Sequence, residues 1–258
     1  MPAPKLTSIL SAALLILPLT AQAKQPSGLP AFLRSINQAA PIQSGPITIS
    51  RATQQNGHIL IHAAINSQQL PLPPQTQREP TIQALQTLTE AAWCQHPRFP
   101  TLNQNHSLTA RYQISGETQP INITLPAGRC TQIQSSQTPE QQADAVQIAD
   151  LILHLPGINQ RLPLTDGKLT LQRIDFHHPS QTLHKHLTLN EPALACAPEA
   201  QIRERIQNEA RALECEDPIL AQNNRHYPTT HHFTLPNRTE TFETTIPKNS
   251  CTPAAKPN

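Results

Sequence analysis

The chain has 258 residues, with 19 Lys and Arg against 17 Asp and Glu and a formal net charge of +2; no basic block or basic–aromatic stripe appears, which argues against nucleic acid and anionic membrane as partners. A content of 37% hydrophobic and 3% aromatic residues allows only thin cores, and seven glycines leave little material for phosphate-cradling loops. No GxSxG, HExxH, P-loop or GxGxxG motif is present, so the enzyme classes read from those motifs find no support.

Residues 1–23 read as a secretory signal peptide. Lys5 supplies the positive region, 9–19 is an apolar run too short to span a bilayer, and Ala21-Gln22-Ala23 is a small-x-small cleavage site. An uncleaved anchor is the alternative. No cysteine follows the apolar run, and no later segment is apolar enough to cross a membrane. The mature chain is expected to begin near Lys24 in a periplasmic or secreted, oxidising location.

The rest of the sequence repeats. Cys94 and Cys130 are 36 positions apart, and so are Cys215 and Cys251. Moving the second half back by 121 positions lays Pro218 on Pro97, Asn224 on Asn103, Phe233 on Tyr112, Thr239 on Thr118 and Pro247 on Pro126. "INQAAP" at 36–41 recurs as "INQRLP" at 158–163. The expected organisation is unit one at 24–130, a Gln/Ser/Thr-rich linker at 131–142, unit two at 143–251 and a disordered tail at 252–258.

Each unit opens with a short apolar lead, 29–36 or 149–158. A hairpin follows: strands at 46–52 and 58–65 around a turn at 53–57, and strands at 168–176 and 182–189 around a turn at 177–181. A helix then starts near Pro80 or Pro198. In unit two Ile202, Ile206, Ala210 and Leu213 form an apolar stripe; in unit one Ile82, Leu85, Thr89 and Ala92 form a weaker one. Each helix ends at Cys94 or Cys215. A second hairpin closes each unit, with Leu108, Ala110, Tyr112 and Ile114 alternating inward, and a turn holding Gly116 or Asn237, residues that tolerate positive φ. The fold class is α+β: two tandem ββαββ domains, each a four-stranded antiparallel sheet with one packed helix. The equal spacings argue for disulfides Cys94–Cys130 and Cys215–Cys251, joining a helix end to the end of the fourth strand, with Cys196 left over. Cys196 is free, forms an intermolecular bond that makes a dimer, or competes with Cys215 for Cys251.

Twelve histidines offer the one candidate for metal chemistry. His177, His178, His184 and His186 lie on one hairpin, and His184 and His186, two apart on a strand, face the same side. Imidazoles so placed suit Zn²⁺ or Cu²⁺. No acidic or thiolate ligand completes the set, so a polar strand face is the competing reading and no cofactor is expected. His231 and His232 are adjacent and point to opposite faces, which argues against joint ligation.

The unit, with its early proline, hairpin, helix ending in Cys-x-x-Pro, aromatic strand, turn and terminal Cys, resembles a family of uncharacterised small exported proteins of Gram-negative bacteria. The matching residues are Pro41, Cys94, Pro97, Tyr112, Gly116 and Cys130, then Pro163, Cys215, Pro218, Phe233, Asn237 and Cys251. The second unit departs at Asn237, and both lack a second strand aromatic. The resemblance implies no activity and no site residue. No catalytic residue is identifiable. The function expected is that of a periplasmic, non-enzymatic binding protein, an envelope adaptor or protein inhibitor, with an unknown envelope or extracellular protein as partner. The alternative is a metal-binding or metal-dependent protein using the His177–His186 hairpin.

Overall fold

Helix α1 (Leu29–Ala39) forms the lead of the first half, burying Leu29, Phe32 and Ile36 on one side. After it come β1 (Ile42–Ser44), β2 (Ile47–Gln55) and β3 (His58–Ile65), then α2 (Glu79–Cys94), α3 (Phe99–Asn103), β4 (Leu108–Ile114) and β5 (Ile121–Leu125). Next are α4 (Arg129–Ser136) and α5 (Pro139–Asn159). The second half continues with β6 (Leu164–Thr165), β7 (Leu169–His177), β8 (Thr182–Leu189), α6 (Glu199–Cys215), α7 (Pro218–Asn223), β9 (Thr229–Thr234) and β10 (Thr241–Ile246). This is a computed structural model, and it describes residues 28–251; the expected signal peptide at 1–23 and the tail at 252–258 lie outside them. The described chain divides into two compact units, 28–154 and 155–251. No helix among the described residues is long and apolar enough to cross a membrane.

The first sheet runs β1-β2-β3-β4-β5 and the second β10-β9-β8-β7-β6. Each therefore has five strands, not the expected four, because a short strand after Pro41 or Pro163 pairs with the first long one. Nor are the sheets fully antiparallel. β3 pairs with β4 in parallel, and so does β8 with β9. The physical reason is the connection: each pair is joined through a helix, which carries the chain back to the end where the first strand began, whereas a hairpin would start the next strand at the end just reached. The expected ββαββ pattern also omitted α1, α3, α4, α5 and α7. The Gln/Ser/Thr run at 131–142 is largely helical, covered by α4 and the start of α5. Thr138 and Gln141 form a reciprocal capping box, each side chain accepting from the other's backbone N–H at 3.2 and 2.8 Å. That Thr-x-x-Gln pattern is a sequence signal for a helix start.

Within each unit the apolar residues of alternate strand positions meet the helix. In the second unit Leu169, Leu187, Leu189, Phe233, Phe242 and Ile246 pack with Ile202, Ile206 and Ala210 of α6, and Leu213 is partly buried against them. In the first, the buried stripe of α2 is Thr81, Leu85, Thr89 and Trp93, one position off the expected Ile82 and Ala92. Thr89 Oγ1 and Tyr112 Oη are 2.8 Å apart, which satisfies the one phenol in this core. The β2–β3 hairpin turns on Asn56 and Gly57, both at positive φ, so β2 extends through the expected turn to Gln55.

Cys94 bonds Cys130, and Cys215 bonds Cys251, with Cα separations of 5.1 and 4.8 Å; Cys196 is free and exposed. Cys130 sits in α4 and Cys251 in a turn, so each bond ties a helix end to the segment following the last strand. A fully buried asparagine holds the same place in each unit. Asn103 donates to Pro126 O at 2.9 Å and accepts from Cys130 N–H at 2.9 Å. Asn224 donates to Pro247 O at 3.0 Å and accepts from Cys251 N–H at 3.1 Å. On the long strand β2 Asn37 bonds both N–H and C=O of Ala52, and on β7 Asn159 those of Ile174.

Asn224→Ala is expected to cost about 2–3 kcal/mol, because it leaves a donor and an acceptor unpaired beside the disulfide. Replacing Cys215 and Cys251 together by Ala should cost about 3–4 kcal/mol for a loop of this length. Urea unfolding with spectroscopic detection of each variant measures both.

Candidate functional site

The period-two alternation of β8 and β9 sends neighbouring polar residues to opposite faces of the second sheet. Lys185 and His231 turn toward α6; His184, His186 and His232 turn away from it, and the two faces differ in chemistry.

On the helix side is a buried ionic cluster. Lys185 Nζ lies 2.6 Å from Glu214 Oε2, and Thr229 Oγ1 donates to Glu214 Oε1 at 2.9 Å. His231 Nε2 stands 3.4 Å from Glu214 Oε2, and neither of its ring nitrogens makes a hydrogen bond. Glu214 and His231 are 1% and 0% exposed, so the carboxylate is held by Lys185, Thr229 and the neighbouring His231 ring. Burial alone pushes the Glu214 carboxyl up, but Lys185 and then His231 outweigh it and hold it at about 2. Burial pulls His231 below its ordinary value, opposed by the nearby Glu214 carboxylate and reinforced by Lys185. The register-equivalent residues of the first sheet are Ile61 for Lys185, Ala110 for His231 and Leu108 for Thr229. Trp93 stands 121 positions before Glu214. There the same place is apolar, and Ile61, Trp93 and Ala110 line a cavity of about 30 Å³ with Leu85, Leu88 and Tyr112, room for about one water.

On the outer face one row across four strands reads Arg173, His186, His232 and Glu243, and the row beside it begins Asp175, His184 and Thr230. His184 Nδ1 lies 2.7 Å from His232 Nε2. The His232 ring stacks on His186 at 4.7 Å between centroids and meets His184 edge to edge, with centroids 5.0 Å apart. His232 Nδ1 is 3.0 Å from Glu243 Oε1, and His186 Nε2 is 3.2 Å from Asp175 Oδ2, while Arg173 pairs Oδ1 of the same carboxylate. His184 Nε2 is buried and unpartnered. Burial first, then His232, His177 and His186, lower the His184 pKa, so its neutral form is favoured.

Of the four histidines marked in the sequence, His184 and His186 share this face and His177 meets His184 edge-on at 5.9 Å. His177 Nδ1 is engaged by Ser180 Oγ at 2.7 Å. His178 packs edge-on against Phe176 and does not join them. His232 joins them instead, brought across by the parallel β8–β9 pairing. Sequence reasoning separated it from His231 and left it without neighbours, since the partner strand lies 46 positions away from His186 in the chain. Among the described residues, no three His, Cys, Asp or Glu side chains are already arranged as a metal cage.

No protein-family model matches the chain, and no curated protein does. Two solved structures match in part. A protein of Pseudomonas aeruginosa described as secreted matches at 13% identity and a TM-score of 0.32, over 38% of this chain and 86% of its own. The pilotin EpsS of the Vibrio vulnificus type 2 secretion system matches at 15% identity and a TM-score of 0.32, over 45% of this chain and 96% of its own. Likeness at that level carries no argument about this chain.

The buried cluster makes the second unit acid-sensitive. The Glu214 carboxyl is held near 2 against an ordinary 4.5, so its contribution, up to roughly 3 kcal/mol, is complete above about pH 4.5 and is lost as pH falls toward 2. His231, depressed from 6.5, adds a loss that begins as pH falls below about 6.5, where the unfolded chain takes up the proton more readily. Glu214→Ala should cost about 3–5 kcal/mol at neutral pH, stranding Lys185. The triple change Lys185→Ile, Glu214→Trp and His231→Ala, which copies the first unit, should remove this acid sensitivity. Urea midpoints between pH 7 and 3 check both.

Proposed function

We propose that the chain is an exported, non-enzymatic binding protein, an envelope adaptor or inhibitor of another protein, made of two copies of one scaffold at 24–130 and 143–251. The observation that carries this reading is the pair of disulfides, each closing the same 36-position interval and each braced by a buried asparagine. Such bonds persist in an oxidising compartment. Two small, aromatic-poor cores gain much of their stability from them.

The binding part of the reading rests on strand edges. β5 and β10 end their sheets, with no further strand beside them among the described residues. An open edge of this kind pairs with an extended segment of a partner through main-chain hydrogen bonds, with side chains in alternation setting specificity. Along β10 the exposed Thr241, Glu243 and Thr245 would face that segment's surroundings, while Phe242 and Ile246 stay in the core.

The test has two arms. In a Gram-negative host the chain should be released by osmotic shock with its N-terminus near Lys24, four cysteines oxidised and Cys196 alone alkylated on mass mapping. A reduced, full-length chain retained in the cytoplasm would overturn export. A photo-cross-linking residue at Thr245 or Asn122 should then join one envelope protein reproducibly, against a control at Arg203 on α6. Equal labelling from all three positions would overturn edge pairing.

A further inference from the structure

We propose that the outer face of the first sheet seats the phosphate monoester group of a soluble ligand, held by Arg51 and Arg111 across His62, with Asn122 at the open end of the row. This goes beyond the binding reading above and does not depend on it.

The four side chains share one row. Arg51 stands beside His62 across β2 and β3, His62 beside Arg111 across β3 and β4, and Arg111 beside Asn122 across β4 and β5. Their strand neighbours Ala52, Ile61, Ala110 and Ile121 are buried, and Ile61 and Ala110 lie with Leu85 and Trp93 of α2 around the small cavity. Alternation therefore turns the row to the opposite, outer side. Arg51, Arg111 and Asn122 are exposed there and His62 is half-buried. Strands about 4.8 Å apart put the two arginines about 10 Å from each other at the backbone. Two long side chains can close that gap above His62.

The row carries charge that nothing answers. Among the described residues no hydrogen bond or ion pair engages the guanidinium of Arg51 or Arg111, the His62 ring or the Asn122 amide. The five strands of this sheet contain no Asp or Glu. The corresponding row of the second sheet is Arg173, His186, His232 and Glu243, and each of its members has a partner. Arg173 and His186 both meet Asp175, and His232 meets Glu243. Thr53 stands 122 positions before Asp175, and Asn122 stands 121 before Glu243. Two places that hold an acid in one sheet hold none in the other. The counter-charge that the second row supplies for itself comes to the first from outside.

The donors select the anion. A tetrahedral phosphate offers oxygen pairs on more than one edge, so two guanidinium forks can each take a pair. A carboxylate has a single pair and satisfies one fork. His62 adds a ring N–H and Asn122 its amide N–H groups. Burial first, then Arg51 and Arg111, lower the His62 pKa. Those arginines are the charged groups facing it from the strands on either side, and an anion between them offsets both, so binding raises the His62 pKa.

The experiment is a nuclear magnetic resonance titration of the oxidised chain at pH 7 with inorganic phosphate and with glycerol 3-phosphate, each against sodium chloride at matched ionic strength. Both phosphates should move the His62 ring signals to saturation with a Kd of about 1 mM or tighter, and the His62 titration midpoint should rise in saturating glycerol 3-phosphate. Arg51→Gln and Arg111→Gln should each weaken binding at least about 10-fold. Arg173→Gln, at the same place in the second sheet, should leave it unchanged. Circular dichroism establishes that each variant is folded. Binding to phosphatidic acid vesicles with none of either soluble probe would overturn the soluble ligand. A chloride response of the same size, an affinity unchanged in both Arg51→Gln and Arg111→Gln, or an equal loss on Arg173→Gln would overturn the site.

Discussion

Each half of this protein depends on one covalent and hydrogen-bonded knot. A disulfide joins the end of the long helix to the segment after the last strand, and a wholly buried asparagine, Asn103 or Asn224, bonds the carbonyl of the proline before the second cysteine and the N–H of that cysteine. The bond limits how far the unfolded chain can spread. The asparagine does something different: it satisfies a backbone donor and acceptor that would otherwise be buried unpaired. Together they fix where the helix stops relative to the sheet. That placement puts Trp93 or Glu214, the residue just before the first cysteine, against the middle strands. With so few aromatic residues available, a knot at the edge of the core does part of what a larger core would do by burial alone.

What sits at that place separates the halves. In the first sheet Trp93, Ile61 and Ala110 make an ordinary apolar core. In the second, the Lys185–Glu214 ion pair and the His231 imidazole occupy it. A buried ionic cluster of this kind is poor evidence for stability, since desolvation cancels much of the attraction, and a hydrophobic replacement is often neutral or better. Its consequence is sensitivity: each member is needed once the others are there. The strands that carry it also carry the outer histidines, one residue out of step. A backbone of period two therefore builds two polar groups on opposite faces from two short stretches, 184–186 and 231–232.

The helices α2 and α6 that end at a cysteine, both hairpins, the cysteine spacing and the two positive-φ turns were legible, because each rests on local periodicity or turn chemistry. Gly116 and Asn237 both sit at positive φ at the same point of the second hairpin. Other features were legible and went unread: Thr138 and Gln141 spell a capping box inside the run taken for a linker. The candidate site was half visible. His184 and His186 follow from alternation, but His232 reaches them only through a parallel strand pair whose register no local pattern states.

The sequence by itself determined the order of the cysteine-ended helices α2 and α6 and the hairpins, the face of each strand that meets the core, and the equal cysteine intervals, since all of these are set by neighbours a few residues apart or by spacing read directly along the chain. Only the tertiary structure decided that the middle strands run parallel, that a fifth strand joins each sheet, and which polar side chains meet. Those outcomes depend on residues tens of positions apart being brought together by the helical crossover, and side chains of the same type, such as His62 and His186, acquire opposite surroundings only when the strands on either side are in place.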